Sequence, residues 1–274
     1  MDDAGPQGRA EIKALLARHG ARPNQAYGQN FLVDPNTIRR IVRLADVGAG
    51  SNVVEIGGGT GTLSRALAAT GARLVVYEID AGLFEILEDT VGHLPNAELR
   101  HADASRVELG ATLGDGRWSM VANLPYNVGT GIVLDALRGA PAIERIVVMV
   151  QREVAERLLA PAGSPAYGLP SVTVALHARG RIAFGVPRSV FFPEPSVDSA
   201  VVEMDRREPP AASERAIAVA AAAFGQRRKM LRRSLAGILD DPVAVLERAG
   251  VDATARPEDL TPAAFVGIAE AIGP

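Results

Sequence analysis

Short apolar runs alternate with helical patterns along most of the chain. Asn52–Ile56, Leu74–Ile79, Ala97–His101, Met120–Ala122 and Ile146–Val150 read as strands, separated by stretches whose apolar residues recur every three or four positions. This alternation predicts an α/β fold, a parallel sheet covered by helices on both faces. Ile182–Val186 and Ala200–Met204 read as two late strands, an antiparallel, hairpin-like pair at one edge. Residues 1–24 form an arm in which Ile12, Leu15, Leu16 and His19 share one face of a short helix. Tyr27–Leu32 reads as a loop. Asp34-Pro35 then starts a helix with Ile38, Ile41, Val42 and Ala45 as its apolar stripe. Ala166–Ala178 reads as a further helix.

The pattern changes at Arg206-Arg207-Glu208-Pro209-Pro210, a linker by composition. Everything beyond it is helical: a Ser213-capped helix to Phe224, then Arg227–Leu239, Val243–Ala249, and Pro262–Ile272 behind a Thr261 cap. The expected division is a sheet domain with its N-terminal arm over 1–205 and a small all-helical C-terminal domain over 206–274.

Composition narrows the chemistry. The chain has 274 residues and no cysteine, which excludes disulfides and thiolate metal sites. His19, His93, His101 and His177 are scattered without ligand spacing, so no metal site is expected. No stretch approaches the ~18 apolar residues of a membrane span, and the opening Met1-Asp2-Asp3 is acidic where a signal peptide is basic. A cytoplasmic protein without membrane contact is expected. The net charge is -3, so any nucleic-acid site must arise from local charge.

The candidate chemistry lies at the ends of the predicted strands. Val53-Val54-Glu55-Ile56 enters Gly57-Gly58-Gly59-Thr60-Gly61, a glycine turn that lets backbone approach a nucleotide. Thr62 stands where the pyrophosphate fingerprint has its third glycine, so the Gly57-x-Gly59-x-Gly61 spacing fits a ligand without pyrophosphate, such as S-adenosylmethionine. Glu78 follows Gly57 by 21 residues and is placed to accept from both ribose hydroxyls; Asp103, at the next strand end, is placed to accept from the adenine amine of the cofactor.

The fourth run ends Asn123-Leu124-Pro125-Tyr126. An adenine amino group is a poor nucleophile because its lone pair is conjugated into the ring. Two acceptors, the Asn123 side-chain oxygen and the Leu124 carbonyl, would stabilise the positive charge it develops on methylation. Pro125 aims that carbonyl and Tyr126 offers a face for a flipped base. The Phe191–Ser199 loop, stiffened by Pro193 and Pro195, offers Phe191 to the base from the opposite side. Farther on, five of the eight residues Gln226–Arg233 are basic (Arg227, Arg228, Lys229, Arg232 and Arg233) on a predicted helix that pairs Arg228 with Arg232 and Lys229 with Arg233 on shared faces. This patch suits RNA phosphates.

Together these residues resemble the ribosomal RNA adenine N(6)-dimethyltransferase family, most closely its bacterial small-subunit branch acting on 16S rRNA. The matching pieces are Gly28-Gln29-Asn30-Phe31-Leu32, Glu55–Gly61, Glu78, Asp103, Asn123–Tyr126, Val150–Leu158, Phe191–Ser199 and Ala223–Lys229, spanning about Tyr27 to Leu235. The resemblance implies a Rossmann-like S-adenosylmethionine methyltransferase sheet with a small helical C-terminal domain. It implies cofactor contacts from Asn30, Leu32, Gly57, Glu78, Asp103 and Asn123. It further implies dimethylation of two adjacent adenines in a hairpin loop near the 3' end of 16S rRNA during small-subunit assembly, by a monomer acting on the subunit or its precursor. Gly129-Thr130-Gly131 departs from the family, which usually has proline after the threonine. The competing readings are a large-subunit rRNA adenine methyltransferase of the macrolide-resistance type, a DNA adenine methyltransferase, and a non-catalytic ribosome-assembly factor on the same scaffold.

Overall fold

The computed structural model describes residues 7–24 and 28–273. Tyr27 and the first six residues of the arm lie outside the described residues. By contact density the chain divides into two compact units, one of residues 1–155 with 180–206, the other of 156–179 with 207–274.

The first unit opens with α1 (Arg9–Arg18), β1 (Phe31–Leu32) and α2 (Pro35–Ala45). Strands and helices then alternate: β2 (Asn52–Ile56), α3 (Thr62–Ala68), β3 (Arg73–Glu78), α4 (Ala81–Val91), β4 (Ala97–His101), α5 (Leu109–Thr112), β5 (Trp118–Asn123), α6 (Gly129–Gly139) and β6 (Ile143–Gln151). After α7 (Arg152–Leu158) and α8 (Leu169–His177) come β7 (Ala178–Val186), β8 (Phe191–Phe192) and β9 (Ser199–Arg206). The main sheet has the order β4-β3-β2-β5-β6-β9-β7. β2 to β6 run parallel and β9 runs antiparallel to β6. The two late strands do stand side by side at one edge, with β9 inside and β7 outermost.

The local chemistry explains several of these elements. Asp34 caps α2 by accepting from the Thr37 amide at 2.8 Å, with Pro35 in the first turn. Asp80 caps α4 in the same way through Leu83. Val53, Val54, Leu74, Val75 and Val76 are fully buried, as strands covered on both faces require. α6 begins at Gly129 despite the absent proline; a Cβ there would lie 3.2 Å from Leu124 Cβ, so the glycine fits the helix start against that residue.

Several expectations change. The predicted Tyr27–Leu32 loop ends in a strand: Phe31 and Leu32 pair antiparallel with Phe192 and Phe191. Residues 156–179 belong with the helical unit, not with a continuous 1–205 domain; Tyr167, Val172 and Leu176 share an apolar cluster with Ala216, Ala220 and Phe265. Ser213 does not cap its helix. α9 (Ser213–Gly225) starts one residue earlier, where the Ala212 carbonyl accepts from the Ala216 amide at 2.8 Å.

The second unit continues with α10 (Leu231–Ser234), α11 (Pro242–Arg248) and α12 (Pro262–Ile272), the last capped by Thr261 as expected. The predicted Arg227–Leu239 helix is not continuous. Gln226–Lys229 form a turn, and the Leu231 and Arg232 amides donate to the Ala255 and Ala253 carbonyls instead of to the preceding turn. Among the described residues no helix is long and apolar enough to cross a membrane.

Candidate active site

A cavity of about 320 Å³ opens at the carboxyl ends of β2, β3, β4 and β5 in the first unit. Its walls come from Gly28–Phe31, the glycine turn at Gly57 and Gly59, Tyr77–Ile79, Ala102–Ser105 and Asn123–Val128. The residues predicted from successive strand ends are therefore brought to one place.

Glu78 is 4% exposed, and its carboxylate is held by three backbone amides. Oε2 accepts from Gly59 at 2.8 Å; Oε1 accepts from Ile79 and Asp80, each at 2.9 Å. Burial raises its pKa, against the pull of these hydrogen bonds. With two amides on Oε1 and one on Oε2, the remaining conventional lone-pair position is on Oε2.

Gly59 serves this arrangement directly. At a φ of +58° it donates its amide to Glu78 and also lines the cavity. Gly61 plays a different part from the one expected. It is outside the cavity wall, and a Cβ on it would come within 2.5 Å of Thr90 Oγ1 and 2.7 Å of Val91, so its bareness lets α4 pack against the turn.

Asn123 ends β5 and lines the cavity beside Asn30. Its Nδ2 donates to the Asn30 carbonyl at 3.0 Å. That bond uses one end of the carboxamide and fixes its rotation, so Oδ1 is presented as an acceptor. Tyr126, half-buried in the same wall, is tethered through its hydroxyl to Ser199 Oγ at 2.8 Å. Burial raises the Tyr126 pKa, partly opposed by that bond. Asp103 accepts from the amide and hydroxyl of Ser105 at 3.0 and 2.6 Å and reaches Arg106 at 3.3 Å.

Two further predicted residues lie outside the cavity wall. Leu32 is in the core, not the cavity wall. Phe191 is fully buried in the same core cluster and cannot present its ring to a base. The cause is register: residues directly opposite in an antiparallel pair share a face, and neighbours alternate. Leu32 and Phe191 turn inward, whereas Phe31 and Phe192 face α1, where Lys13 Nζ sits 4.9 Å from the Phe192 ring.

Arg227, Arg228 and Lys229 lie in the turn after α9 and Arg232 and Arg233 in α10, so the expected pairs Arg228/Arg232 and Lys229/Arg233 do not share one helix. Arg227, its side chain 42% exposed, donates to the Pro165 carbonyl at 3.2 Å and lies 3.7 Å from Glu258. Arg228, Lys229, Arg232 and Arg233 are exposed. Sequence reading missed Gly28, Gln29, Ser199 and Gln7. Gln29 and Ser199 stood inside quoted motifs without a role; Gln29 donates to Asp80 at 3.1 Å and Ser199 holds Tyr126.

Solved structures of similar fold define the class. The crystal structure of the 23S rRNA methyltransferase ErmE aligns with a TM-score of 0.68 at 28% identity, over 89% of this chain and all of that one. A dimethyladenosine transferase from Plasmodium falciparum shares the fold, with a TM-score of 0.73 at 23% identity over 87% of this chain and 95% of its own. Fold and cavity thus define a Rossmann-like methyltransferase. Within that class the chain belongs to the ribosomal RNA adenine dimethylase family, whose model matches residues 20–273. It is 42% identical to the ribosomal RNA small subunit methyltransferase A of Acidothermus cellulolyticus over 99% of each chain. It is 43% identical to the protein of that name in Streptomyces coelicolor over 96% of each.

Proposed function

We propose that the chain transfers methyl groups from S-adenosylmethionine to the exocyclic amine of adenine in 16S rRNA, dimethylating two adjacent adenines in a hairpin loop near its 3' end. The observation that carries this reading is the oriented Asn123 carboxamide, its Oδ1 left as an acceptor at the rim of a cavity that also holds the Glu78 and Asp103 carboxylates. The names of the full-length relatives favour the small subunit over the large one.

The residues present fit the cofactor. Glu78 offers a fixed acceptor on Oε2, Gly57 and Gly59 leave room for close approach, and Asp103 stands at the neighbouring strand end. When bound, S-adenosylmethionine supplies a sulfonium methyl with a neutral leaving group. The chain's own work is positioning and charge stabilisation. Asn123 Oδ1 and the Leu124 carbonyl accept from the amine as it gains positive charge. Pro125 fixes the turn, and Tyr126, steadied by Ser199, stacks on the base. The amine proton leaves to solvent.

The test is mass spectrometry of rRNA fragments from cells lacking the protein, followed by restoration with the purified chain. Loss of dimethyladenosine from 16S rRNA supports the reading. Loss confined to 23S rRNA would move the substrate to the large subunit, and intact modification would leave only a binding role.

Glu78→Ala should weaken S-adenosylmethionine binding by about five- to a hundredfold, since it removes one ligand hydrogen bond and frees the Gly59 amide. Calorimetry on the folded variant checks it; unchanged affinity removes Glu78 from the cofactor site.

For RNA, the exposed residues are the ones to change. Each phosphate contact adds about 0.7–0.9 to the slope of log affinity against log salt. The triple replacement of Arg228, Lys229 and Arg233 by alanine should therefore flatten that slope by up to about 2–3, with cofactor affinity preserved. Arg227→Ala should lower thermal stability more than the slope, because its guanidinium is already engaged. Filter binding of small-subunit particles across a salt series reads the slopes, and thermal denaturation reads the stability.

A further inference from the structure

The family model begins at residue 20, yet the segment before it is packed behind the cofactor turn. We propose that α1 and the preceding Gln7 are positioning elements of the cofactor site, holding the glycine turn and the Phe31 wall in binding geometry. This rests on the S-adenosylmethionine reading above.

Gln7 is fully buried. Its Oε1 accepts from two hydroxyls at once, Thr60 at 3.0 Å and Thr62 at 2.6 Å. Thr60 stands between Gly59 and Gly61, and Thr62 is the first residue of α3. One carbonyl oxygen therefore pins the turn on both sides of Gly61. These hydroxyls are themselves buried and stand 3.2 Å from each other, so without the shared acceptor one can turn to the other while the second is left an unmet donor, and the turn has a reason to move. The next residue back is Gly59, whose amide sets the Glu78 carboxylate.

The second support is Phe31. Its ring carbons lie 3.4–3.5 Å from the Cβ direction of Gly59, and the residue also lines the cavity. Behind it, Ile12, Leu15 and Leu16 of α1 form a cluster with Phe31, Val33, Leu83 and Ile86. Further ties anchor the helix: Glu11 accepts from Arg65 of α3 at 3.0 Å, and Arg9 donates to the Ser189 and Phe191 carbonyls at 2.9 and 3.0 Å. α1 thus grips the turn, the start of α3 and the strand paired with β1, while no bond in this set involves Asn123.

Gln7→Met keeps the side-chain length and removes the acceptor. Calorimetry with S-adenosylmethionine should show Kd raised about five- to tenfold, with KM for the cofactor rising alike and kcat falling by less than that factor. Thr62→Val should act the same way, and the double variant should be less than additive, because both remove one interaction. Gln7→Asn, a smaller change, should shift Kd in the same direction and serves if the methionine variant does not fold. A merely structural role would lower the melting temperature and leave Kd and KM unchanged, and that result overturns the proposal. Full additivity in the double variant overturns the Gln7–Thr62 link. Failure of the unaltered protein to bind S-adenosylmethionine would instead overturn the cofactor reading and this inference with it.

Discussion

Asn123→Ala should lower kcat for methyl transfer by roughly two to three orders of magnitude, the usual loss when one fixed transition-state partner is removed. Cofactor and RNA affinities should change far less. The reason is where the acceptor acts. The amine gains charge only as the new bond forms, so an acceptor for its hydrogens is worth more in the transition state than in the bound ground state. The structure adds a second expectation. Nδ2 of Asn123 is committed to the Asn30 carbonyl, so the oxygen is aimed before substrate arrives. Alanine removes both the acceptor and its anchor. Single-turnover transfer to small-subunit particles at saturating cofactor is the measurement. A rate near that of the unaltered protein would show that Asn123 is not the amine acceptor, and the Leu124 carbonyl would have to act alone.

What the sequence made legible was local. The glycine turn, Glu78, Asp103 and Asn123–Tyr126 each follow a strand directly, and a parallel sheet sends the ends of its strands to one edge. What failed depended on partners distant in the chain. The direction of the Phe191 ring is set by its pairing with Leu32, and a shift of one residue would have turned Phe192 inward instead. The helical pattern through Arg227–Leu239 is sound by propensity, but the Ala253 and Ala255 carbonyls take the amides that would continue it. Ala166–Ala178 reads as a further helix of the 1–205 domain, yet the buried Val172 and Leu176 of α8 cluster with residues of α9 and α12. Gln7 carries no motif at all. A single buried amide becomes visible only when the two threonines it serves are seen beside it.

Glu55→Gln should stabilise the fold at alkaline pH and do little in acid. Glu55 is the last residue but one of β2, separated from the glycine turn by Ile56; it is fully buried, and its Oε2 has no hydrogen-bond partner. Burial pushes its carboxyl up to about 8; the Ser64 hydroxyl opposes the rise and the Glu78 charge adds to it. At neutral pH the native protein therefore keeps a proton here that the unfolded chain gives up, with an ordinary value of 4.5. Between those two values the native state binds more protons than the unfolded one, so each step up in pH favours unfolding. The contribution of Glu55 is fully retained below about 4.5 and falls away until about 8, where ionisation of the native group levels it off. Glutamine has nearly the same shape and no proton to lose. The stability gap between variant and parent should thus open with pH and reach on the order of 4 kcal/mol near pH 8. Urea denaturation of both proteins from pH 5 to 8.5 measures it, and subtraction removes titrations common to both. A gap that stays constant with pH would show that Glu55 is ionised in the native state, and that the end of β2 presents a buried charge to the glycine turn rather than a neutral acid.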